Sequence, residues 1–146
     1  MMRYLLSLLI FLAGFCFAIV SSASSILGFI DIPTFIVVGI VPFLFTSTLF
    51  GFKNMASAFS VSTKKEAGKD KLLQALDFFK FYGKITWIAG FFAVIIGFSG
   101  MLKYLNMSTL GPNTAVTLLS ILYSGIIYAV VVLPFTILIK KQLITQ

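Results

Sequence analysis

Four long stretches without a charged residue follow one another along the chain, separated by short polar or basic segments. They cover residues 4–30, 32–52, 85–102 and 104–139. A helix of about 20 apolar residues crosses the hydrocarbon core of a bilayer. The pattern therefore predicts an all-α membrane protein with four transmembrane helices, and these helices leave no room for a separate soluble domain.

The spans and their connections divide the chain into six predicted segments. The composition agrees with this division, since 60% of the residues are hydrophobic and only 10% are charged, which excludes a soluble cytoplasmic domain. The first transmembrane helix covers residues 1–30 and the second 31–57; a short basic cytoplasmic loop and an interfacial helix cover 58–83, the third transmembrane helix 84–105, an outer loop 106–113, and the fourth transmembrane helix with a basic tail 114–146.

Local signals specify the turns between the spans. The segment Gly28–Pro33 predicts a tight outer turn that makes the first two spans a hairpin, and its proline favours the first turn of the second helix. Pro42 lies inside that helix and predicts a kink. In the outer loop, Gly111-Pro112 predicts a turn, after which Asn113 caps a helix that starts near Thr114.

The cytoplasmic connection combines two kinds of sequence. Residues 57–70 are polar and predict a mobile loop. From Lys71 onward, charges alternate with large apolar residues, which predicts an interfacial helix that continues into the third span. We expect the basic and aromatic side chains of this helix at the membrane surface, with Lys80 and Lys84 snorkelling and Phe78, Phe79 and Tyr82 at the level of the lipid headgroups.

The net charge of +7, from 11 basic and 4 acidic residues, indicates topology rather than nucleic-acid binding. All but one of the cations form three groups, at Arg3, between Lys53 and Lys84, and at Lys140 and Lys141. The positive-inside rule places these groups, and with them both termini, on the cytoplasmic side of a bacterial inner membrane. For the lysines of residues 64–71, binding of a cytoplasmic protein and binding of anionic membrane lipid both stay open.

The first segment has a second interpretation. Arg3, the apolar run to Val20 and the small residues 21–25 also describe a secretory signal with a cleavage site. The apolar run continues to Ile30, beyond the usual length of such a signal, which favours an uncleaved span. The single Cys16 lies within this span, so an internal disulfide is excluded.

Two unusual faces are expected on the third and fourth helices. At about 100° per residue, small residues share one sector of the third helix, and hydroxyl groups share one sector of the fourth. Either these faces pack helices together, or they line a central pathway or a slot for a partner helix; the sequence leaves both open. The members are Gly83, Thr86, Gly90, Ala93, Gly97 and Gly100 on the third helix, and Thr114, Thr117, Ser120, Ser124 and Tyr128 on the fourth.

Groups that bind or transfer protons are absent from the predicted spans. The chain has no His, and its acidic residues, Asp31, Glu66, Asp70 and Asp77, lie outside the middle of every span. Proton and sodium carriers need an ionisable group at membrane depth, so a complete carrier is excluded. The sequence also has no catalytic constellation, phosphate loop or cluster of metal ligands, so we expect no enzyme, no metal and no cofactor.

Several motifs together resemble the MotA/TolQ/ExbB family, and most closely its flagellar stator branch. Residues 90–102 resemble the Gly-rich pattern of the family's third span, and the outer loop carries Leu110-Gly111. Residues 118–124 resemble the fourth-span motif, which Pro134 follows as the family-matched proline. Near the start, Asp31-Ile-Pro33 is similar to the turn that opens the second span of the stators.

The resemblance implies an A-type subunit of a rotary motor driven by H⁺ or Na⁺. It implies five copies in a ring around two copies of a B-type (MotB/TolR/ExbD-like) partner. The single transmembrane helix of that partner carries the ion-binding Asp, and a periplasmic domain follows it. The large cytoplasmic domain of the stators is reduced here, which favours work delivered outward through the partner.

A second interpretation comes from a different class of membrane protein. It is a holin-like or structural four-span protein that forms homo-oligomers without ion coupling. This alternative is favoured by Ile121, which replaces a hydroxyl residue that is linked to ion passage in the family.

Under the motor hypothesis, the resemblance also implies roles for single residues. Four residues are expected to pack the subunits of the ring: Gly90, Ala93, Gly97 and Gly100. Five are expected to line an ion pathway or the partner helix: Val94, Thr117, Ser120, Ile121 and Ser124.

Overall fold

The structure, a computed structural model, describes residues 2–21, 26–63, 67–104 and 106–145. These residues are helical apart from short connections and contain no strand, which confirms the all-α prediction. Residues 1–32 and 33–146 form two compact units. The helices are α1 (Met2–Ser21), α2 (Ile32–Phe50), α3 (Phe52–Thr63), α4 (Lys69–Lys103) and α5 (Met107–Thr145), and a 3₁₀ turn covers Ile26–Phe29.

Three of these helices, α2, α4 and α5, are long and apolar enough to cross a membrane, since each contains an 18-residue stretch with a mean hydropathy of 2.0, 2.0 and 2.3, respectively. They make the chain a multi-pass membrane protein. In the first predicted span, α1 ends at Ser21 instead of continuing to residue 30, and residues 22–25 lie outside the described part of the chain. That the first segment spans the membrane, which would make four spans in all, and that the termini are cytoplasmic stay predictions.

The second predicted span, residues 31–57, is shorter than expected because Gly51 ends α2. Gly51 has a φ of 82°, a left-handed conformation that glycine adopts without strain, and α3 begins at the next residue. The mobile loop predicted for residues 57–70 is wrong for its first part, since α3 continues to Thr63. Residues 64–66, with two of the loop lysines, lie outside the described residues.

Two π turns interrupt the apolar helices, and each precedes a proline. Residues Ile36–Ile40 form one in α2 ahead of Pro42, and Tyr128–Val132 form the other in α5 ahead of Pro134. A proline ring presses on the carbonyl four residues earlier in an α-helix, and a wider turn accommodates it. The distortion predicted at Pro42 therefore takes the form of a π turn.

A buried aromatic cluster joins α2, α3, α4 and α5 near the start of α4. Phe78 and Phe79 are 1% and 0% exposed, and Phe79 stacks on Phe135 with ring centroids 4.7 Å apart. From α3, Phe59 makes an edge contact with Phe79 at 5.0 Å. Phe78, Phe79 and Tyr82 are thus buried inside the protein instead of facing lipid as predicted, because the polar stretch folds as α3 and places Phe59 over Phe78 and Phe79. Their depth in the membrane stays a prediction.

The last helix starts earlier than predicted. The predicted outer loop at residues 106–113 is helical from Met107, so its Gly-Pro pair lies inside the helix. The cap is Asn106, whose Oδ1 accepts hydrogen bonds from the Ser108 N–H (3.1 Å) and hydroxyl (2.8 Å). The cap predicted at Asn113 is wrong, because Asn106 already satisfies free N–H groups at the start of this helix.

We expect Asn106→Ala to lower the free energy of unfolding by about 1 kcal/mol, the usual cost of losing an N-cap side chain. The matched control is Asn113→Ala, since it is the Asn113 backbone carbonyl, not its side chain, that accepts the Thr117 hydroxyl. Thermal unfolding in detergent, followed by far-UV circular dichroism, measures both variants. Equal losses in the two variants, or no loss in Asn106→Ala, would contradict the assigned cap.

Candidate functional site

The helices α4 and α5 pack so closely that glycine is required at three positions of α4. A Cβ added at any of them would come within 3.0 Å of a side chain of α5, closer than packed carbon atoms approach. The order of these glycines along α4 is opposite to that of their partners along α5, so the two helices are antiparallel. The contacts, which we call the glycine seam, are Gly83 with Tyr128 and Val132, Gly90 with Ser124, and Gly97 with Thr117.

Three hydroxyl residues of α5, Thr117, Ser120 and Ser124, are buried at the glycine seam, and two of them bond to backbone carbonyls. The Ser124 hydroxyl donates to the Ser120 carbonyl at 2.8 Å and lies 3.3 Å from the Thr86 carbonyl of α4. The Thr117 hydroxyl donates to the Asn113 carbonyl at 2.8 Å. Ser124, Ser120 and Thr117 are only 0%, 3% and 7% exposed. Of the two interpretations that the sequence leaves open, these contacts favour helix packing.

The four residues predicted to pack subunits of a ring have three different surroundings. Gly90 and Gly97 face α5 of the same chain, so the space beside them is already filled. Ala93 is partly buried and packs against the apolar cluster around Tyr82. Gly100 has no atom within 4 Å of an added Cβ. Within the chain, the packing partner of Gly90 and Gly97 is thus α5, and a role of the four residues in packing a ring stays a prediction.

The five residues predicted to line an ion pathway or a partner helix do not share one face. Adjacent residues of a helix point about 100° apart, so the burial of Ser120 turns Ile121 outward. Ile121 is 42% exposed, and Val94 on α4 is partly exposed. Thr117, Ser120 and Ser124 therefore face the glycine seam, whereas Ile121 and Val94 are accessible to another chain. Their role in lining an ion pathway or a partner helix stays a prediction.

A groove of about 400 Å³ opens at the end of the glycine seam nearest Lys103. It forms where Gly97 and Gly100 bring no side chain to the surface of α4. Its lining offers the amide of Asn113 and the hydroxyls of Tyr104 and Thr117 among apolar atoms, and no carboxylate or amine, so it suits an uncharged guest. The lining residues are Ile96, Gly97, Gly100, Met101, Tyr104, Asn113, Val116 and Thr117.

The glycine seam has no acidic partner among the described residues of its own compact unit. Asp70 and Asp77 are exposed in the first half of α4, and no acidic residue follows Asp77 in the sequence. Among the described residues, no group of three His, Cys, Asp or Glu side chains is placed to hold a metal ion. An ion at the glycine seam would therefore meet hydroxyls and backbone carbonyls of this chain, without a carboxylate.

The glycine seam brings together the segments that carry the family resemblance. Residues 90–102 lie on α4, and residues 118–124 and Pro134 lie on α5. No family model, curated protein or solved structure matches this chain. The family resemblance therefore rests on these motifs alone, and the function is inferred from the motifs together with the geometry of the glycine seam.

The sequence identifies both small-residue faces but does not pair them with each other. Positions 83, 90 and 97 repeat every seven residues, as do Thr117 and Ser124. Two antiparallel helices with the same spacing of small residues bring the two rows into register. This shared period is the sequence signal from which the pairing could have been suspected, although it does not establish the contact. Nothing comparable in the sequence indicates the groove, because Asn113 there lies in the segment predicted as a loop.

Proposed function

We propose that this chain is the A-type subunit of an ion-driven rotary motor in the bacterial inner membrane. Five copies form a ring around two copies of a one-span B-type partner with a periplasmic domain, and flow of H⁺ or Na⁺ drives rotation. The observation that carries the proposal is the chemistry of the glycine seam, which holds hydroxyls and bare backbone but no carboxylate or imidazole. A second chain must then supply the titratable group, as the resemblance implies.

The exposed side of α5 supports a partner within the membrane. Ile121 is 42% exposed and lies beside the buried Ser120, at the position where the resemblance expects a hydroxyl. Such an accessible residue is suited to contact a partner helix through packing. The carboxylate of the partner would then lie near the ends of the glycine seam rather than inside it, because the seam has no free volume at Gly90.

The small folded part outside the spans favours work delivered outward through the partner. It consists of α3 and the first turns of α4, which pack on each other through Ala58, Val61, Leu72 and Ala75. The Gln142 side chain of α5 donates to the Ser62 carbonyl at 2.9 Å and ties α3 to the end of α5. We infer that this part braces the helices, whereas the load acts on the periplasmic domain of the partner.

The second candidate is a holin-like or structural membrane protein that forms homo-oligomers without ion coupling. The observation in its favour is that the hydroxyls of Thr117 and Ser124 are already bonded to carbonyls of the chain, at 2.8 Å each. Hydroxyls that are used in this way stabilise helix packing and need no ion.

Photo-crosslinking in native membranes separates the two candidates. With Cys16 replaced by Ser, a benzophenone is attached to Ile121→Cys and, as a control, to Phe91→Cys, whose position on α4 is 61% exposed. We expect Ile121→Cys to form an adduct with a second, one-span chain that carries an Asp at membrane depth, identified by mass spectrometry. Phe91→Cys is expected to form mainly lipid adducts.

Adducts between copies of this chain alone, at both positions, would contradict the motor and support the homo-oligomer. Ion flux provides an independent measurement. The purified chain alone, reconstituted in liposomes, is expected to show no saturable cation uptake driven by a gradient. Such uptake by the chain alone would also contradict the proposal, because the chain would then not need a partner's carboxylate.

A further inference from the structure

One face of α4 is exposed along the helix, and its chemistry changes half-way. Its residues recur every three or four positions and share a sector about 80° wide. The opposite face is buried against α3 and α5. We call this exposed face the α4 stripe; from the start of the helix it includes Asp77, Lys80, Lys84, Trp87, Phe91 and Ile95, all of which are exposed.

The change in the α4 stripe takes place between Lys84 and Trp87. Toward the start of the helix the stripe carries charged groups, whereas Phe91 and Ile95 beyond it are apolar and 61% and 44% exposed. Trp87 lies at the change and is 43% exposed. A helix face that turns from ammonium groups to exposed hydrocarbon within one turn marks the boundary between lipid headgroups and acyl chains, where Trp is enriched.

Trp87 is held in place by α5. Its ring centroid lies 6.4 Å from that of Tyr128, and its Cη2 lies 3.9 Å from the position that a Cβ would take at Gly125. One edge of the indole is therefore fixed against protein while the rest stays exposed. Lys84 and Lys80 follow about one and two turns away on the same face. The three side chains form a surface that is arranged before any ligand binds.

We infer that Lys80, Lys84 and Trp87 bind the headgroup of an anionic phospholipid, whose acyl chain lies along Phe91 and Ile95. The two ammonium groups attract the phosphate, and the amphipathic indole lies at the level of the glycerol esters. Asp77 is one turn from Lys80 and repels phosphate, which confines the headgroup to the two lysines nearest the boundary.

A phospholipid matches both halves of the α4 stripe. Inorganic phosphate or an acidic peptide would use the lysines but not the exposed Phe91 and Ile95. A zwitterionic lipid would bring a quaternary ammonium group against Lys84, so the charge of the site favours an anionic headgroup. This inference is independent of the motor proposal, since it uses only exposed residues of α4 and requires neither an ion nor a partner chain.

Trp87 is the only tryptophan of the chain, so tryptophan fluorescence reports on this site alone. The full chain is reconstituted in mixed vesicles of phosphatidylglycerol and phosphatidylcholine, in which one of the two lipids carries brominated acyl chains that quench tryptophan on contact. We expect brominated phosphatidylglycerol to quench Trp87 more strongly than brominated phosphatidylcholine at the same mole fraction. Equal quenching by the two lipids would overturn the proposal, and so would weak quenching by both, since protein would then cover Trp87.

Substitutions assign the preference to the lysines. Lys80→Gln combined with Lys84→Gln is expected to lower the preference for phosphatidylglycerol by up to about fivefold per lysine, which corresponds to about 1 kcal/mol each. The matched control, Lys140→Gln with Lys141→Gln, removes two exposed charges from α5 and should leave the preference unchanged. The same loss in both double variants would overturn the assigned site.

Two further arms separate specific binding from a folding defect and from a free-phosphate site. Asp77→Asn removes the repelling carboxylate, so it is expected to raise the preference for phosphatidylglycerol; a lowered preference would contradict the site. Inorganic phosphate is compared with NaCl at matched ionic strength, and we expect both to displace the lipid equally. Stronger displacement by phosphate would mean that the lysines bind free phosphate, and would overturn the lipid site.

Discussion

Phe79→Ala is expected to lower the free energy of unfolding by about 3–5 kcal/mol, the range for truncation of a buried Phe. Phe79 is 0% exposed, and the rings of Phe135, Phe59 and Phe78 lie 4.7, 5.0 and 5.4 Å from it. These neighbours come from three different helices. The cavity left by the truncation closes only if α3 or α5 moves, so most of the lost packing is not recovered.

Unfolding by SDS in mixed micelles, followed by far-UV circular dichroism, measures this loss. The matched control is Phe91→Ala, the same change on the same helix at a residue that is 61% exposed. We expect Phe91→Ala to change the free energy of unfolding by less than about 0.5 kcal/mol, as for other surface positions. Similar losses in the two variants would show that the aromatic cluster does not stabilise the fold.

Gly90→Ala is expected to force α4 and α5 apart and to cost about 1–3 kcal/mol, the usual cost of overpacking. An added Cβ would overlap the Ser124 hydroxyl and come within 3.1 Å of the Ser120 carbonyl oxygen. The hydroxyl can rotate away, at the cost of its bond to Ser120, but the backbone carbonyl cannot. The same unfolding titration measures the loss, and the fluorescence of Trp87 on the neighbouring turn reports any separation of the helices.

Two variants test whether the close contact at Gly90 is the cause. Gly100→Ala makes the same change on α4 where an added Cβ meets no atom within 4 Å, so we expect it to be neutral or slightly stabilising. Ser124→Ala removes the overlapping oxygen and should restore part of the stability when combined with Gly90→Ala. Fully additive losses in the double variant would show that the two residues do not meet.

The helix that the sequence failed to predict is α3. Its residues include several Ser and Thr, which are weak helix formers and also favour loops. The helix is stabilised by contacts with other helices. Ala58 and Val61 pack into the aromatic cluster, and the Ser62 carbonyl accepts a hydrogen bond from the Gln142 side chain at 2.9 Å. Because these partners are distant in the sequence, no local pattern indicates α3, and the environment of Phe78 and Phe79 was predicted wrongly with it.

The start of α5 could not be predicted for a different reason, namely that the sequence offers two suitable N-cap residues. Asn106 and Asn113 both precede apolar helical sequence, so each is a suitable N-cap by residue type. The Gly-Pro pair between them favours the later start, yet the structure uses the earlier one. The hydrogen bonds of Ser108 to Asn106 decide between the two, and they are visible only once the backbone is in place.

By itself, the sequence determined that the chain is an all-helical, multi-pass membrane protein, and which side chains share a face of each helix. Both follow from hydropathy and from the fixed period of an α-helix, which are local properties. The tertiary structure alone decided which faces meet: the glycines of α4 with the hydroxyls of α5, and Phe79 with Phe135. In a membrane, lipid tails are as apolar as Leu, so hydropathy cannot distinguish a face that contacts lipid from one that contacts protein, and close packing makes the choice.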